Sequence, residues 1–71
     1  SGGVLVEDTV PGGAAEAAGM KKNDRIVAIA GKPIKNIDSY MTVMATQKAG
    51  TSVEVEVIRN DKKMTFKVTP K

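Results

Sequence analysis

The side chains in this sequence that could do chemistry are carboxylates, hydroxyls and amines, because the 71 residues include no histidine and no cysteine. A serine nucleophile needs a base to activate it, and histidine is the usual one. The serines, Ser1, Ser39 and Ser52, have no such partner in the chain. Hydrolysis by a serine nucleophile is therefore not predicted for this segment.

The carboxylates have simpler explanations than catalysis. Glu54 and Glu56 alternate with valines, which is the pattern of a strand with one buried face. Asp24 follows a polar, turn-prone segment, where an aspartate commonly accepts hydrogen bonds from nearby backbone N–H groups. A glycosidase-like carboxylate pair has no further support. We predict no catalytic residue, and therefore that the chain is not an enzyme by itself.

The composition also argues against several ligands. Zinc, haem and iron–sulfur sites draw on cysteine and histidine, so no metal or cofactor is expected in this domain. Gly12 and Gly13 lack the spacing and the lysine of a phosphate-binding loop. The 11 lysines and arginines are scattered, and the only aromatic residues are Tyr40 and Phe66. Nucleic-acid binding is not predicted, and no apolar run is long enough for membrane insertion.

Strand and turn signals dominate the first half of the chain. Residues 4–6 form a β-branched run that 11–13 should stop, and an alanine-rich helix over 14–18 should end at Gly19. Asn23 and Asp24 predict a tight turn. The apolar run 25–30 predicts a central strand buried on both faces, with Ile26 and Ala28 on one side. After a turn at Gly31, a very short edge strand should begin at Ile34.

The second half predicts a long amphipathic helix and a hairpin. Apolar residues recur at three- and four-residue spacings from Asn36 or Asp38, either of which can cap the helix, to Lys48. Alternating valines from Val53 predict a strand with one buried face, and a second strand over 64–69 follows a turn at 60–61. We predict an α+β, mainly β fold: a small, partly open β-sandwich or barrel of about five strands with one short and one long helix.

These motifs, in this order, resemble the bacterial type of PDZ domain over residues 4–70. The opening strand leads through a proline and small residues to Ala14-Ala15, and Ala18-Gly19-Met20 is followed by Asn23-Asp24 and a strand. Asn23 stands where the family usually has glycine, and asparagine is the mildest replacement at a positive φ. We expect one PDZ-like domain over 4–71, with 1–3 a cloning remnant or flexible lead-in.

The resemblance implies a bacterial protease as the host. The closing strand is typical of the circularly permuted bacterial arrangement, and residues 57–70 look most like PDZ domains of RseP-type site-2 zinc metalloproteases. HtrA-type serine proteases are the next choice. Zinc is expected only in a parent metalloprotease's catalytic domain. The implied location is periplasmic or extracytoplasmic, within a membrane-associated protein.

The family's function implies a peptide site. PDZ domains add an extended peptide, often a C-terminus, as a strand beside the sheet, with the long helix as the other wall. The family's carboxylate-holding loop is not visible before residue 4. Under the family alignment, the expected peptide-binding residues are Val4, Leu5, Val6, Ser39, Val43 and Thr46, although Val43 fits the core equally well. Gly19, Asn23, Asp24 and Gly31 are expected to be structural turn residues, and Tyr40 and Met44 to be core.

Two functions of different classes follow from the resemblance. The domain either recognises C-terminal, extended or unfolded substrate segments and gates access to a protease site elsewhere in its parent, or it is a structural size filter that packs on other domains and binds no peptide. The partners expected are therefore peptides or protein segments and the other domains of the parent protease.

Overall fold

The structure, a computed structural model, describes residues 2–8 and 13–69 of the chain. The elements, in chain order, are β1 (Val4–Leu5), α1 (Ala14–Ala18), β2 (Arg25–Ile29), β3 (Lys32–Pro33), α2 (Ile37–Met44), β4 (Val53–Arg59) and β5 (Lys62–Val68). Residues 11 and 12 of the predicted turn over 11–13 lie outside the described residues, as do Pro70 and Lys71 at the end of the predicted domain. None of the helices described is long and apolar enough to cross a membrane.

The strands form one antiparallel, open sheet in the order β1-β2-β4-β5, with β3 also paired to β2. Strand β2 is central: β4 pairs along one of its sides, β1 pairs with Arg25 and Ile26, and β3 pairs with Ala28 and Ile29. Strands β1 and β3 therefore share the other side of β2. This architecture confirms the predicted α+β, mainly β class with five strands and two helices.

One apolar core lies under this sheet. Strand β4 supplies Val53, Val55 and Val57, the last of which is fully buried, as the alternation in the sequence predicts. The remaining buried core residues lie between Met20 and the end of β5: Met20, Ile26, Ile29, Ile34, Val43 and Val68. With a core this small, burial of each side chain accounts for a substantial share of the stability.

The prediction that β2 alternates regularly and is buried on both faces is wrong. Ile26 pairs with Val57 and Ala28 with Glu56, so one extra residue, Val27, interrupts the ladder as a bulge. The bulge shifts the alternation by one, which puts Ile26 and Ile29 together in the core and leaves Val27 and Ala28 half-buried. A bulge depends on pairing with a distant strand, so strand periodicity alone does not reveal it.

Two tight turns use positive φ angles. Asn60 and Asp61 have φ of 51° and 64° between β4 and β5, and Ala30 and Gly31 have φ of 52° and 79° between β2 and β3. Both are two-residue hairpin connections of the type that matches strand twist. The turns at 60–61 and at Gly31 are confirmed, but β3 is Lys32–Pro33, before the predicted start at Ile34, because the hairpin pairs Ile29 with Lys32 directly.

Helix α2 is shorter than predicted. It begins after Asn36, whose side chain accepts a hydrogen bond from the Ser39 N–H at 2.9 Å. It ends at Met44 instead of Lys48, because the side chains of Thr46 and Gln47 donate to the Val43 carbonyl at 2.7 and 3.2 Å. These bonds satisfy a terminal carbonyl that a longer helix would have used.

Candidate functional site

An apolar groove of about 650 Å³ lies between β1 and α2. Its floor is the core itself, including Met20, Ile29 and Val55, and its walls are residues 4–8 on one side and the helix on the other. Residues 13–15 border it as well. A concave, mainly apolar site of this size is the default candidate for ligand binding.

Strand β1 is fixed to the body of the sheet by its end. The backbone of Val6 forms two hydrogen bonds with the 23–24 turn. Its N–H donates to the Asp24 carbonyl at 2.8 Å, and its carbonyl accepts from the Asn23 N–H at 2.7 Å. Alternate residues of an antiparallel strand point their backbone groups to opposite sides. Leu5 therefore directs its N–H and C=O away from β2.

The outward side of β1 faces α2. Gly3, two residues before Leu5, donates its N–H to the carbonyl of Lys35 at 3.0 Å, immediately before the helix cap. Gly3 has φ of 108°, and an added Cβ would lie 2.7 Å from the Ile26 carbonyl oxygen, so only glycine fits there. Gly3 therefore packs closely on β2. The expectation that residues 1–3 are a cloning remnant or a flexible lead-in stays a prediction.

The helix presents Ile37, Tyr40 and Met44 to the groove. These residues are three and four apart, so they form one stripe along the helix. Tyr40 and Met44 also pack against the core, as predicted, but they wall the groove at the same time. Ile37 is 55% exposed and forms an apolar rim.

The other helical residues expected to bind peptide, Ser39, Val43 and Thr46, do not line this groove. Ser39 completes the helix cap: its hydroxyl accepts from the Asn36 N–H at 3.1 Å. Val43 is buried in the core, and the Thr46 hydroxyl donates to the Val43 carbonyl. The rotation of α2 about its axis is set by core packing, which a family alignment of the helix does not specify. Their peptide-binding role stays a prediction.

The expected residues on the strand, Val4, Leu5 and Val6, do line the groove. Val4 and Val6 pack against the core, and Leu5 is 52% exposed. The structure therefore brings the strand half of the predicted site together with a different stripe of the helix. Their contact with a peptide stays a prediction.

The opposite edge of the sheet is less suited to strand pairing. Strand β5 carries Lys62, Lys63 and Lys67, all exposed, and Lys63 pairs with Glu56 across the hairpin at 2.9 Å. Charged residues, lysine especially, protect an edge strand from pairing with another chain. By contrast, the exposed side chain on β1 is Leu5, which is apolar and gives this edge no such protection.

The expected turn residues occupy strained or buried positions. Asn23 has φ of 75°, which asparagine tolerates, and Gly19 has φ of 101° at the end of α1. The Gly19 and Met20 N–H groups donate back to the Glu16 and Ala15 carbonyls at 3.0 Å, the Schellman arrangement. Met20 folds into the core just past this cap.

Asp24 is the buried polar residue of the described chain, with 1% exposure. Its carboxylate accepts from the Lys21 N–H at 2.9 Å, which is the predicted turn role. It also accepts two hydrogen bonds, each 2.7 Å, from the Arg59 guanidinium. The local sequence around Asp24 gives no sign of Arg59, because the two residues are 35 positions apart and only the sheet brings them together.

Arg59 connects three parts of the fold. Besides Asp24, its Nη2 donates to the Gly19 carbonyl at 3.0 Å, and its guanidinium lies 5.1 Å from the centre of the Phe66 ring. The bidentate hydrogen bonds from Arg59 lower the pKa of the Asp24 carboxyl, against the opposing effect of burial. The same contact raises the pKa of Arg59. Because the Asp24 carbonyl receives the Val6 N–H, this ion pair supports β1.

The charged residues among the described groove lining are acidic. Among the described lining residues, Glu7 and Asp8 carry charge and none is lysine or arginine. Within the described ranges 2–8 and 13–69, no group of three or more histidine, cysteine, aspartate or glutamate side chains could hold a metal ion. The site offers an open backbone edge, apolar walls and two carboxylates, which suit an extended chain.

Comparison with known proteins gives several serine proteases as relatives of this chain. The chain is 36% identical over 67 residues to the serine endoprotease DegS of Salmonella typhimurium, covering 94% of this chain and 19% of that protein. It is 33% identical to the periplasmic pH-dependent serine endoprotease DegQ of Escherichia coli, covering 94% and 15%. It is 36% identical to the serine protease Do-like HtrA of Bacillus subtilis, covering 93% and 15%. The chain spans less than a fifth of the length of these relatives.

Solved structures share the fold. A solution structure from Geobacillus thermodenitrificans superposes with a TM-score of 0.80 at 31% identity, covering 96% of this chain and 77% of that one. A segment of an aminopeptidase N family protein from Idiomarina loihiensis also reaches 0.80, but at 20% identity it is evidence for the fold alone. The family model for the PDZ domain matches residues 1–69. The sheet, the two helices and this match together confirm the resemblance, and the chain belongs to the PDZ domain family.

Proposed function

We propose that this domain binds an extended peptide, which adds as a strand to the outward edge of β1 and lies in the groove against α2. The observation that carries the proposal is the position of that edge. Leu5 directs its backbone groups at the groove, and Gly3 beside it already makes one such bond to the carbonyl that precedes α2. Backbone pairing supplies affinity in this mode, and side-chain pockets supply selectivity.

Apolar contacts add to the backbone pairing. Leu5 and Ile37 flank the groove and keep 52% and 55% of their surface in water. A peptide between them removes apolar area from water, at about 25 cal/mol per Å². The lysine-bearing edge at β5 offers no comparable apolar surface, so binding is proposed at β1.

We propose an HtrA-type serine protease as the parent of this domain, with a regulatory role for the peptide site. The support is the set of relatives: DegS and DegQ are named serine endoproteases, and DegQ is named periplasmic. These relatives favour this parent over the RseP-type metalloprotease that the resemblance of residues 57–70 suggested. The same relatives support an extracytoplasmic location. In this proposal hydrolysis belongs to a separate part of the parent.

Two matched variants test the peptide site. Ile37→Ser removes a rim residue of the groove, and Met41→Ser removes a residue on the same helix that is 62% exposed and does not line it. We expect Ile37→Ser to weaken binding of an alternating Val-Thr peptide about five- to tenfold, because roughly half an isoleucine's burial is lost. Met41→Ser should bind like the parent domain, in fluorescence anisotropy titrations.

Equal affinities for the two variants would contradict binding in this groove. Absence of any binding at millimolar peptide by the folded domain would contradict peptide binding altogether and would leave the structural size filter as the account.

A further inference from the structure

We infer that the groove selects extended segments that carry a lysine or arginine beside Glu7, at the end of the groove that follows β1. This inference rests on the proposed function and specifies its ligand. The chain as a whole has a net charge of +3, yet its described groove lining contains two carboxylates and no cationic side chain. The local charge is thus opposite to that of the molecule.

The two ends of the groove are chemically different. One end is marked by the bond from the Gly3 N–H to the Lys35 carbonyl. Gly3 precedes β1, whereas Glu7 and Asp8 follow it, so the two acidic residues lie beyond the opposite end of this strand. The acidic side chains are therefore gathered at one end, and the remaining walls are apolar.

Glu7 is available to a ligand. Its side chain is exposed, and among residues 2–8 and 13–69 no lysine or arginine forms an ion pair with it. A cation on a strand added to β1 meets this carboxylate at the distance of a cross-strand neighbour. Opposite charges in such pairs favour association.

The geometry also specifies where the cation belongs in the ligand. Val4 and Val6 pack against the core, so the side chain of Leu5, between them, points to the other face of the strand. An added strand alternates in the same way. The ligand therefore has apolar residues directed at the groove floor and a basic residue at an outward position near Glu7.

A peptide series tests the preference. The probes are N-acetylated, C-amidated hexapeptides of alternating valine and threonine, in which one threonine at a time is replaced by lysine, glutamine or glutamate. We expect the tightest-binding lysine peptide to bind at least about threefold more tightly than its glutamate counterpart at low salt. A ratio of this size is what replacing an exposed ion pair by a like-charge contact produces. The affinity ratio should decrease at 0.5 M salt, because salt screens exposed charges.

Variants of the domain assign the preference to Glu7. Glu7→Gln should bring the lysine-to-glutamate affinity ratio close to one, and Glu7→Lys should invert it. Glu54→Gln removes an exposed carboxylate on β4, away from the groove, and should leave the ratio unchanged.

Each other outcome overturns the inference. Equal binding of the three peptides, together with weaker binding by Ile37→Ser, refutes the charge preference and leaves the peptide site standing. No binding by any peptide refutes both. A free-carboxylate hexapeptide that binds more tightly than its amide, while the lysine, glutamine and glutamate peptides bind equally, shows that the groove reads a terminal carboxylate and not a basic side chain. A peptide-sensitive dimer in sedimentation experiments shows that a second copy occupies the β1 edge.

Discussion

At the scale of the residue, the pair formed by Asp24 and Arg59 is the most consequential contact. Asp24 is 1% exposed, and the Arg59 side chain is 22% exposed, so the pair sits at the border of the core. Its hydrogen bonds reach the C-terminus of α1, the 21–24 turn and, through the Asp24 carbonyl, Val6 of the β1 segment. One carboxylate therefore supports both the fold and a wall of the groove.

Replacing this carboxylate should destabilise the domain. Asp24→Asn removes the charge that Arg59 faces, and we expect a loss of about 2–4 kcal/mol, slightly below the range for fully buried pairs because Arg59 is partly solvated. A domain of this size has about 4–10 kcal/mol in total. Urea unfolding followed by circular dichroism measures the loss. Glu54→Gln is the control, with an expected change within about 0.5 kcal/mol, and an Asp24→Asn variant as stable as the control would contradict this account of the pair.

The same contact makes stability depend on pH. Arg59 holds the pKa of Asp24 below its ordinary value of 3.8, so the unfolded chain binds this proton more tightly than the folded one. The resulting stabilisation is present above about pH 4 and is lost as pH falls through the folded-state pKa. Between pH 5 and pH 2, the free energy of unfolding should decline more steeply in the parent domain than in Asp24→Asn. Parallel declines would refute the assignment.

At the scale of the element, the hairpin connections show what local sequence can specify. Asn60-Asp61 is a turn signal, and both residues adopt the positive φ angles that it predicts. Ala30 adopts a similar φ of 52° without the side chain that makes this conformation tolerable. Alanine in the left-handed region costs about 1–2 kcal/mol. The β2–β3 turn therefore holds strain that a different residue would reduce.

Relieving that strain should stabilise the domain. We expect Ala30→Asn to raise the free energy of unfolding by about 0.5–1 kcal/mol, since Ala30 is exposed and asparagine suits this turn position. The converse substitution at the β4–β5 turn, Asn60→Ala, should lower the free energy of unfolding by a similar amount. Thermal unfolding of the two variants measures both effects, and an Ala30→Asn variant with a lowered midpoint would show that this turn is not strained.

Other boundaries could not be read from local patterns. The end of α2 at Met44 depends on Thr46 and Gln47 turning back onto the Val43 carbonyl, which competes with continuation of the helix. The shift of Ile26 and Ile29 to one face depends on a bulge against β4. In both cases a tertiary or side-chain hydrogen bond overrides an intrinsic preference.

At the scale of the whole molecule, the sequence specifies the fold more closely than the site. Five strands, two helices and the strand half of the groove follow from periodicity, turn residues and the family resemblance. The helical half does not, because Ile37, Tyr40 and Met44 face the groove only as a result of how Val43 packs into the core. The Arg59 contact to Asp24 likewise exists only after β4 has paired with β2.

The central claim is that a peptide adds to the β1 edge, and amide chemical shifts test it most directly. In a titration of the isotope-labelled domain with an amidated alternating Val-Thr peptide, the account predicts saturable shifts of the Leu5 and Glu7 amides and of residues along the α2 stripe. The Leu5 amide should also become protected from hydrogen exchange, because it gains a partner. Shifts confined to the lysine-bearing β5 edge, or none at millimolar peptide, would contradict the account.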